Sequence, residues 1–542
     1  MRVFGFRGCS PWRPCGTEPS HLFVPVYRKG VGLKIDDRRP LQVVLVFLWG
    51  GFLLYLSTFG NSWSYDDFLV VVHNPDITSF QAFLTDCYPG RPLRELSFLV
   101  DYQLFGLDSV GWHIQNVLWH SLNAWLVFKL ARHLSADIRI AWIASLLFLI
   151  HPVQVEVVAQ TSHRKDSLAL FFILTACLAY FHALQAIGRQ RMFLILSATA
   201  AVVVACFAKK NALVTPLVFV LYETLFIKRD EQILLKHRSF LIIVGVVLLG
   251  VIWWVVPFNE YVDRATFQLV RNSYLDGFSL EIYLLTVVKS WGMIFSKLAW
   301  PHHLAINYLI ETPSSWADME VVASLGVLFA SLMTILRFHA RLPLIAFSLS
   351  WALLFYLPTA NLWPLSWFAA DRYLYTPSVG VFLATAWLFC KVFPDKKTFL
   401  FLIPLFALLA ALTYRQSQVW SDNPTLWSNA LRVSPQSSRV ISAAGYWLHP
   451  NDPEKAMQFQ LAALKINPHD VMVNYVLGEI YEQTGRTEQA LVHYRKFLNP
   501  KFPMYQVNYR KLVLELRDRF PELSTETSQE KSSNQGDNVQ CF

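Results

Sequence analysis

Charged residues are scarce in this chain, at 16% of its 542 residues, where soluble globular proteins carry about 25%. Cysteine is sparse as well: Cys9, Cys15, Cys87, Cys177, Cys206, Cys390 and Cys541 complete the set. They form no C-x-x-C pair and no zinc-like spacing, so neither a redox motif nor a zinc site is supported. Several lie in apolar segments and read as small buried thiols. The first 40 residues are polar and basic and contain no cleavable signal, so the first apolar run is expected to remain as an anchor. No inverted pair of broken apolar segments is present, which argues against a transporter.

Apolar residues are abundant. Hydrophobic residues make up 54% and aromatics 15% of the chain, and the mean hydropathy is +0.35. Apolar stretches of roughly 17 to 25 residues, enough for a helix to cross a bilayer, recur along the sequence. The expected fold class is all-α: a polytopic transmembrane helical bundle with about eleven spans, followed by a small soluble module. The net charge of +9 does not point to nucleic acid here, because basic residues collect in the cytoplasmic loops of membrane proteins.

Hydropathy places spans near 41–59, 112–131, 138–153, 167–187, 192–208, 212–227, 239–257, 320–337, 342–362, 373–392 and 398–414. The stretch 281–300 holds Lys289 and Lys297 within an apolar pattern and is expected to lie in the interface. With the N-terminal arm in the cytoplasm, the short basic loops 132–139, 189–191, 228–238, 337–341 and 391–397 all fall on the cytoplasmic side. The opposite loops, 60–111 and 258–319 among them, then face outward together with the C-terminal region, in a periplasm or an organelle lumen.

The outer loops hold unusual polar groups. Asp66 and Asp67 follow the first apolar run directly, and charges so close to hydrocarbon are costly unless they have a role. A solvated acid pair that keeps the loop outside is the plain alternative. Lys209 and Lys210 sit at an outer loop where insertion does not favour them. An anionic partner such as a lipid phosphate would account for them, and snorkelling from a helix end would too. The segment "HPVQVEVVAQTSHRKDS" holds His151, Glu156, His163, Arg164, Lys165 and Asp166; "DRYLYTP" holds Asp371 and Arg372; "GRPLRELSF" holds Arg91, Arg94 and Glu95. His113, Asn116 and His120 fall on one helix face. An interhelical hydrogen-bond role is expected for His120, whereas His113 lies nearer the outer surface and is a candidate to line a site. Paired carboxylates suit Mg²⁺ or Mn²⁺ but do not require either, so metal dependence stays open.

After Tyr414 the apolar runs stop. "NYVLGEIYEQTGRTEQALVHYRKFL" carries Leu477, Gly478, Tyr481, Gly485, Ala490 and Tyr494, a spacing that fits a tetratricopeptide repeat. Ala456 repeats Ala490 at the repeat distance. A short helical solenoid over 415–519 is expected, with a disordered polar tail from 520.

Together the stretches "YDDFLVVVHNPDI", "GRPLRELSFLVDYQLFGLDSVGWHIQNVLWHSLNAWLVF", "HPVQVEVVAQTSHRKD", "AKKNALVTP", "DRYLYTPSVG" and "LWSNALRVSP" resemble the transmembrane-and-tetratricopeptide O-mannosyltransferases and their bacterial relatives, of the GT-C glycosyltransferase class. The resemblance covers about residues 41 to 500. It implies a polyprenyl- or dolichyl-phosphate sugar as donor, a mannose-like sugar, protein Ser/Thr hydroxyls as acceptors, and inversion at the anomeric carbon. It implies a location in a bacterial inner membrane or the endoplasmic reticulum membrane. It assigns the catalytic base to Asp66 or Asp67, and the donor phosphate to Arg164, Lys209 and Arg372. Lys210 stands where relatives often have an acid, which leaves its role open. Arg91, His113, His151, Glu156, Asp166 and Asp371 are expected as supporting groups, with Glu156 or Asp166 holding an arginine in place. The repeats would engage the acceptor protein. Two other readings remain: a GT-C enzyme acting on a lipid or glycan, and a non-enzymatic assembly factor that uses its repeats to hold proteins.

Overall fold

The computed structural model describes residues 40–88, 90–228, 231–234, 265, 279–365, 367–394, 398–499, 509–521 and 523. The expected span at 239–257, the N-terminal arm before residue 40 and nearly all of the tail from 520 lie outside the described residues. Every regular element among those described is helical. Helix starts follow local chemistry. Asp108 and Asp137 each accept a backbone N–H two residues on, opening helices Ser109–Ser135 and Ile138–Ile150, and so satisfy donors that a helix start leaves unpaired.

Among the described residues, four helices are long and apolar enough to cross a membrane: Thr161–Ala183, Gly188–Ala208, Leu280–Ala299 and Met319–Phe338. Ile138–Ile150 and Pro152–Ala159 make a fifth as a pair bent by 52°. Pro152 opens the second limb, and His151 caps it by accepting the Val153 N–H. The other expected runs have helices that do not meet this test of length and apolarity, or lie outside the described residues. The runs at 41–59 and 342–362 end in tight 3₁₀ turns at Leu56–Gly60 and Leu357–Thr359, and the run at 373–392 starts in one at Asp371–Leu374. Their α-helices therefore stop at Pro40–Leu54, Pro343–Tyr356 and Ser378–Val392.

The helices pack around a core that includes Phe47, Leu147, Phe148, Ile173, Tyr222, Phe347 and Trp351. A polar seam crosses this core: His120 bonds to the Tyr375 hydroxyl at 3.0 Å and to the Leu149 carbonyl at 3.1 Å, while Asn123 donates to the Ser167 carbonyl at 2.8 Å. His120 thus has the interhelical role expected of it.

Connections that the charge pattern put on one side meet in space. The Arg139 guanidinium donates to the Pro394 carbonyl and joins two of the basic connections. At the other end, segments 61–76, 91–101, 151–166, 209–210 and 361–377 contact one another. Helix Leu280–Ala299 is tied to this second end near both termini. The Tyr283 hydroxyl donates to the Asn361 carbonyl at 2.9 Å, the Trp291 indole to the Ala360 carbonyl at 2.8 Å, and Tyr308, beyond the helix, to Asp371. Lys289 pairs with Glu320 at the start of the next helix, at 2.8 Å. Its length and apolar character permit a crossing.

Helix Thr398–Val419 continues past residue 414, where the sequence placed the domain boundary. After it, helices Asn423–Val433, Ser438–Leu448, Pro453–Ile466, Val471–Gln483, Thr487–Leu498 and Tyr509–Arg519 follow one another, the first five packing as successive antiparallel neighbours. Close approach needs small residues: a Cβ on Gly478 would stand 2.4 Å from the Tyr494 ring. Gly485 makes the turn at φ +74°, a region that side chains rarely adopt.

A Cβ on Gly380 would stand 2.2 Å from the Ser348 carbonyl oxygen, whereas one on Gly326 meets nothing within 4 Å. Gly380→Ala is expected to cost about 1–3 kcal/mol by overpacking, and Gly326→Ala to be neutral. Thermal unfolding of both purified variants checks this; equal melting temperatures would contradict the close packing.

Candidate active site

The acid pair is set by a strained residue. Tyr65 has φ +47°, a conformation that costs a non-glycine residue of order 1–3 kcal/mol and persists only where the surroundings hold it. Here the C-terminal helices do so. Tyr65 N donates to Asn423 Oδ1 at 2.9 Å, Ser62 N donates to the Ser421 carbonyl at 2.8 Å, and the Tyr65 ring meets the Trp427 ring edge-on at 5.8 Å. The turn sends the two acids apart. Asp66 lines an open cleft, whereas Asp67 is fully buried. Asp67 Oδ1 accepts the Ser162 backbone N–H at 2.7 Å, and its other oxygen is buried without a partner. Burial raises the Asp67 carboxyl to about 7; the Ser162 N–H opposes the rise and the Asp66 charge adds to it.

Cations gather beside this turn from separate segments. Lys209, at the end of helix Gly188–Ala208, pairs with Asp166. Arg372 pairs with Glu156 through its guanidinium, and its backbone N–H donates to Glu156 Oε2 at 2.8 Å. Burial works against the Arg372 charge, but Glu156 outweighs it and holds the guanidinium firmly protonated. The two acids expected to hold basic groups therefore do so. Arg94 pairs with Glu95. Lys165 donates to the Ser162 carbonyl at 3.0 Å and has Asp166 as well as Arg91, Arg94 and Arg372 in electrostatic reach. Among the described residues, neither Arg91 nor Lys165 forms an ion pair. Asp371 accepts the Tyr308 hydroxyl at 2.6 Å, and burial together with the Glu156 charge raises it to about 8, so it adds little negative charge at neutral pH. Lys210 is exposed.

Several expected site residues face inward instead. Arg164 is buried in an ion pair with Asp101, donates through Nε to Asn116 Oδ1 at 2.7 Å and through Nη2 to the Trp112 carbonyl at 3.0 Å, and stacks near Phe98 and Trp112. Its donors are committed to the fold, so it is not positioned to take a phosphate; it pins the first outer loop to the bundle. His151 serves as a cap and packs on Phe382 at 5.1 Å. His113 is buried beneath Trp63. Neither lines the cleft.

The cleft, of about 480 Å³, lies between the acid turn and the C-terminal helices, with Asp66, Leu69, Trp447, Asp470 and Tyr475 among its walls. Arg439, from helix Ser438–Leu448, also lines it. Its guanidinium lies 3.5 Å from the Trp367 ring centroid and donates to the Tyr65 hydroxyl at 3.3 Å. Nothing in "SSRVIS" distinguishes this arginine from an ordinary surface charge on a helix, and the sequence reading passed over it. Among the described residues, no three His, Cys, Asp or Glu side chains are grouped to hold a metal ion, and the acids described here are mostly taken by cations, a phenol or a backbone N–H.

No protein-family model matches the chain, and no solved structure matches it. Curated proteins do. The chain is 24% identical over 451 residues to the protein O-mannosyl-transferase F38B6.6 of Caenorhabditis elegans, covering 79% of this chain and 63% of that one. It is 24% identical over 438 residues to the protein O-mannosyl-transferase TMTC3 of Mus musculus, covering 74% and 47%. A shorter match to the protein O-mannosyl-transferase Tmtc1 of Drosophila melanogaster reaches 33% over 144 residues, 24% of this chain and 17% of that one. Its relatives are named protein O-mannosyl-transferases. The chain spans about half to two thirds of the length of the first two.

Because folded Asp67 keeps its proton to higher pH than an unfolded aspartate, the native state binds more protons between about pH 4 and pH 7, and stability from this group falls as pH rises through that window. Asp67→Asn retains an oxygen for Ser162 N–H and removes the ionisation. Between pH 5 and pH 8 its melting temperature is expected to fall less than that of the wild type, by the equivalent of roughly 1–3 kcal/mol. Parallel pH profiles in thermal unfolding would contradict the burial assigned to Asp67.

Proposed function

We propose that this chain is an integral-membrane glycosyltransferase of the GT-C kind. It would move a mannose-like sugar from a polyprenyl-phosphate carrier to Ser or Thr hydroxyls of proteins. The site would open to the periplasm or the endoplasmic reticulum lumen, with the N-terminus in the cytoplasm. The observation that carries this reading is the gathering of Arg372, Lys209 and Arg91, two of them held by Glu156 and Asp166, at the end of the bundle where Asp66 lines a cleft. An anionic donor headgroup suits these cations. The names of the relatives supply the sugar and the acceptor class.

The chemistry follows from the placement of the groups. Asp66 takes the proton from the acceptor hydroxyl as its oxygen bonds to the anomeric carbon. The bond from that carbon to the carrier phosphate breaks, and the phosphate leaves with the electron pair. Arg372, Lys209 and Arg91 stabilise the charge that develops on it, the arginines with a planar fork and Lys209 as a point charge. Glu156 and Asp166 hold Arg372 and Lys209 in place. Asp67 anchors the turn to the Ser162 segment. The C-terminal helices, read as tetratricopeptide-like, form the far wall of the cleft and would hold the acceptor polypeptide.

The test is transfer from dolichyl-phosphate mannose to a Ser/Thr peptide by the full chain in lipid nanodiscs, read by product mass. Asp66→Asn is expected to lower the rate about 10² to 10⁴-fold, the usual contribution of a general base. Arg372→Gln and Lys209→Gln are expected to raise the KM for the donor. Full activity in Asp66→Asn, with no product difference from wild type, would discard Asp66 as the base.

A further inference from the structure

Arg439 is the cation that nothing above accounts for. Its Nη1 is buried without a hydrogen-bond partner, and among the described residues no carboxylate pairs with it. Asp66 and Asp470 act on it only through space. Burial lowers the affinity of this guanidinium for its proton; Tyr65, Asp470 and Asp66 offset part of that, and the like charge of Arg372 adds to the loss. A half-buried guanidinium whose Nη1 is sealed from solvent with its N–H groups unused is costly unless an anion completes it. The residues around it hold it in place. Trp367 provides a flat face at 3.5 Å, Tyr65 accepts one N–H, and Tyr65 is itself held by Asn423 and Trp427. Tyr65 also acts electrostatically on Arg372, which puts it in reach of both guanidiniums.

We propose that Arg439, seated on Trp367 and Tyr65, forms an anion-binding subsite that takes a phosphate oxygen of the donor, so that the C-terminal helices supply part of the active site itself. This rests on the reading of the donor as a lipid-linked phosphate. Two guanidiniums then meet the phosphate group, one from the membrane bundle and one from the C-terminal module.

The experiment uses the full chain in phosphatidylcholine nanodiscs, titrated with dolichyl phosphate and followed by tryptophan fluorescence, with dolichol and inorganic phosphate as separate arms. Wild type is expected to bind dolichyl phosphate and to ignore dolichol. Arg439→Gln is expected to weaken binding about tenfold or more, and Arg439→Lys, which keeps the charge but loses the fork, to recover part of it. Should Arg439→Gln fail to give monodisperse protein, Arg439→Lys against wild type decides. Dolichyl phosphate binding within twofold of wild type in the Arg439 variants, with Arg372→Gln losing it, overturns the subsite and leaves the proposed function standing. Failure of wild type to bind dolichyl phosphate overturns both. Inorganic phosphate binding as tightly as the lipid overturns the lipid source.

Discussion

The ion pairs Arg372–Glu156 and Lys209–Asp166 are the interactions on which the rest of this site depends. Each joins segments far apart in sequence, and each holds a cation in a largely buried setting where its charge would otherwise be costly. They do not neutralise the region. Arg91 remains without an ion-pair partner among the described residues, and Asp371 is pushed towards its neutral form. An end of a helical bundle built this way is poised for an anion. The bundle beneath it, with its apolar core and its His120–Tyr375 seam, serves to hold these segments at one end.

The second constraint is the turn at Tyr65. A backbone conformation that is unfavourable for tyrosine separates two adjacent carboxyl groups into different environments, one facing a cleft and one sealed against Ser162. The groups that maintain this turn, Asn423 and Trp427, come from the first helix after the membrane bundle, and Ser421 from the connection just before it. The C-terminal module is therefore part of the architecture of the acid turn as well as a separate helical stack. Its first two helices do different work: one braces the turn, and the other presents Arg439.

Much of this was legible in the sequence, and the boundaries of legibility have physical causes. Composition and apolar run lengths identified a helical membrane protein. Adjacent acids after an apolar run, and a basic pair where insertion does not favour one, marked Asp66, Lys209 and their neighbours because unneeded charge beside hydrocarbon is costly. Hydropathy places apolar runs but not the ends of α-helices: it does not register the 3₁₀ turns near Leu56, Leu357 and Asp371 that leave three of the expected runs with shorter helices. Arg164 looked like a ligand for phosphate because a sequence carries no information about partners; its partners, Asp101 and Asn116, lie on two other helices. Arg439 was invisible for the converse reason. Its chemistry comes from Trp367 and Tyr65, which only the fold brings to it.

The central claim is that one phosphate group occupies the space between Arg372, Lys209 and the acid turn. The most direct measurement is an experimental density map of the full chain in nanodiscs with dolichyl phosphate bound. The account predicts phosphate density in contact with the Arg372 and Lys209 side chains, on the same end of the bundle as the Asp66 cleft. Headgroup density at the opposite end, near Arg139 and Pro394, would contradict it.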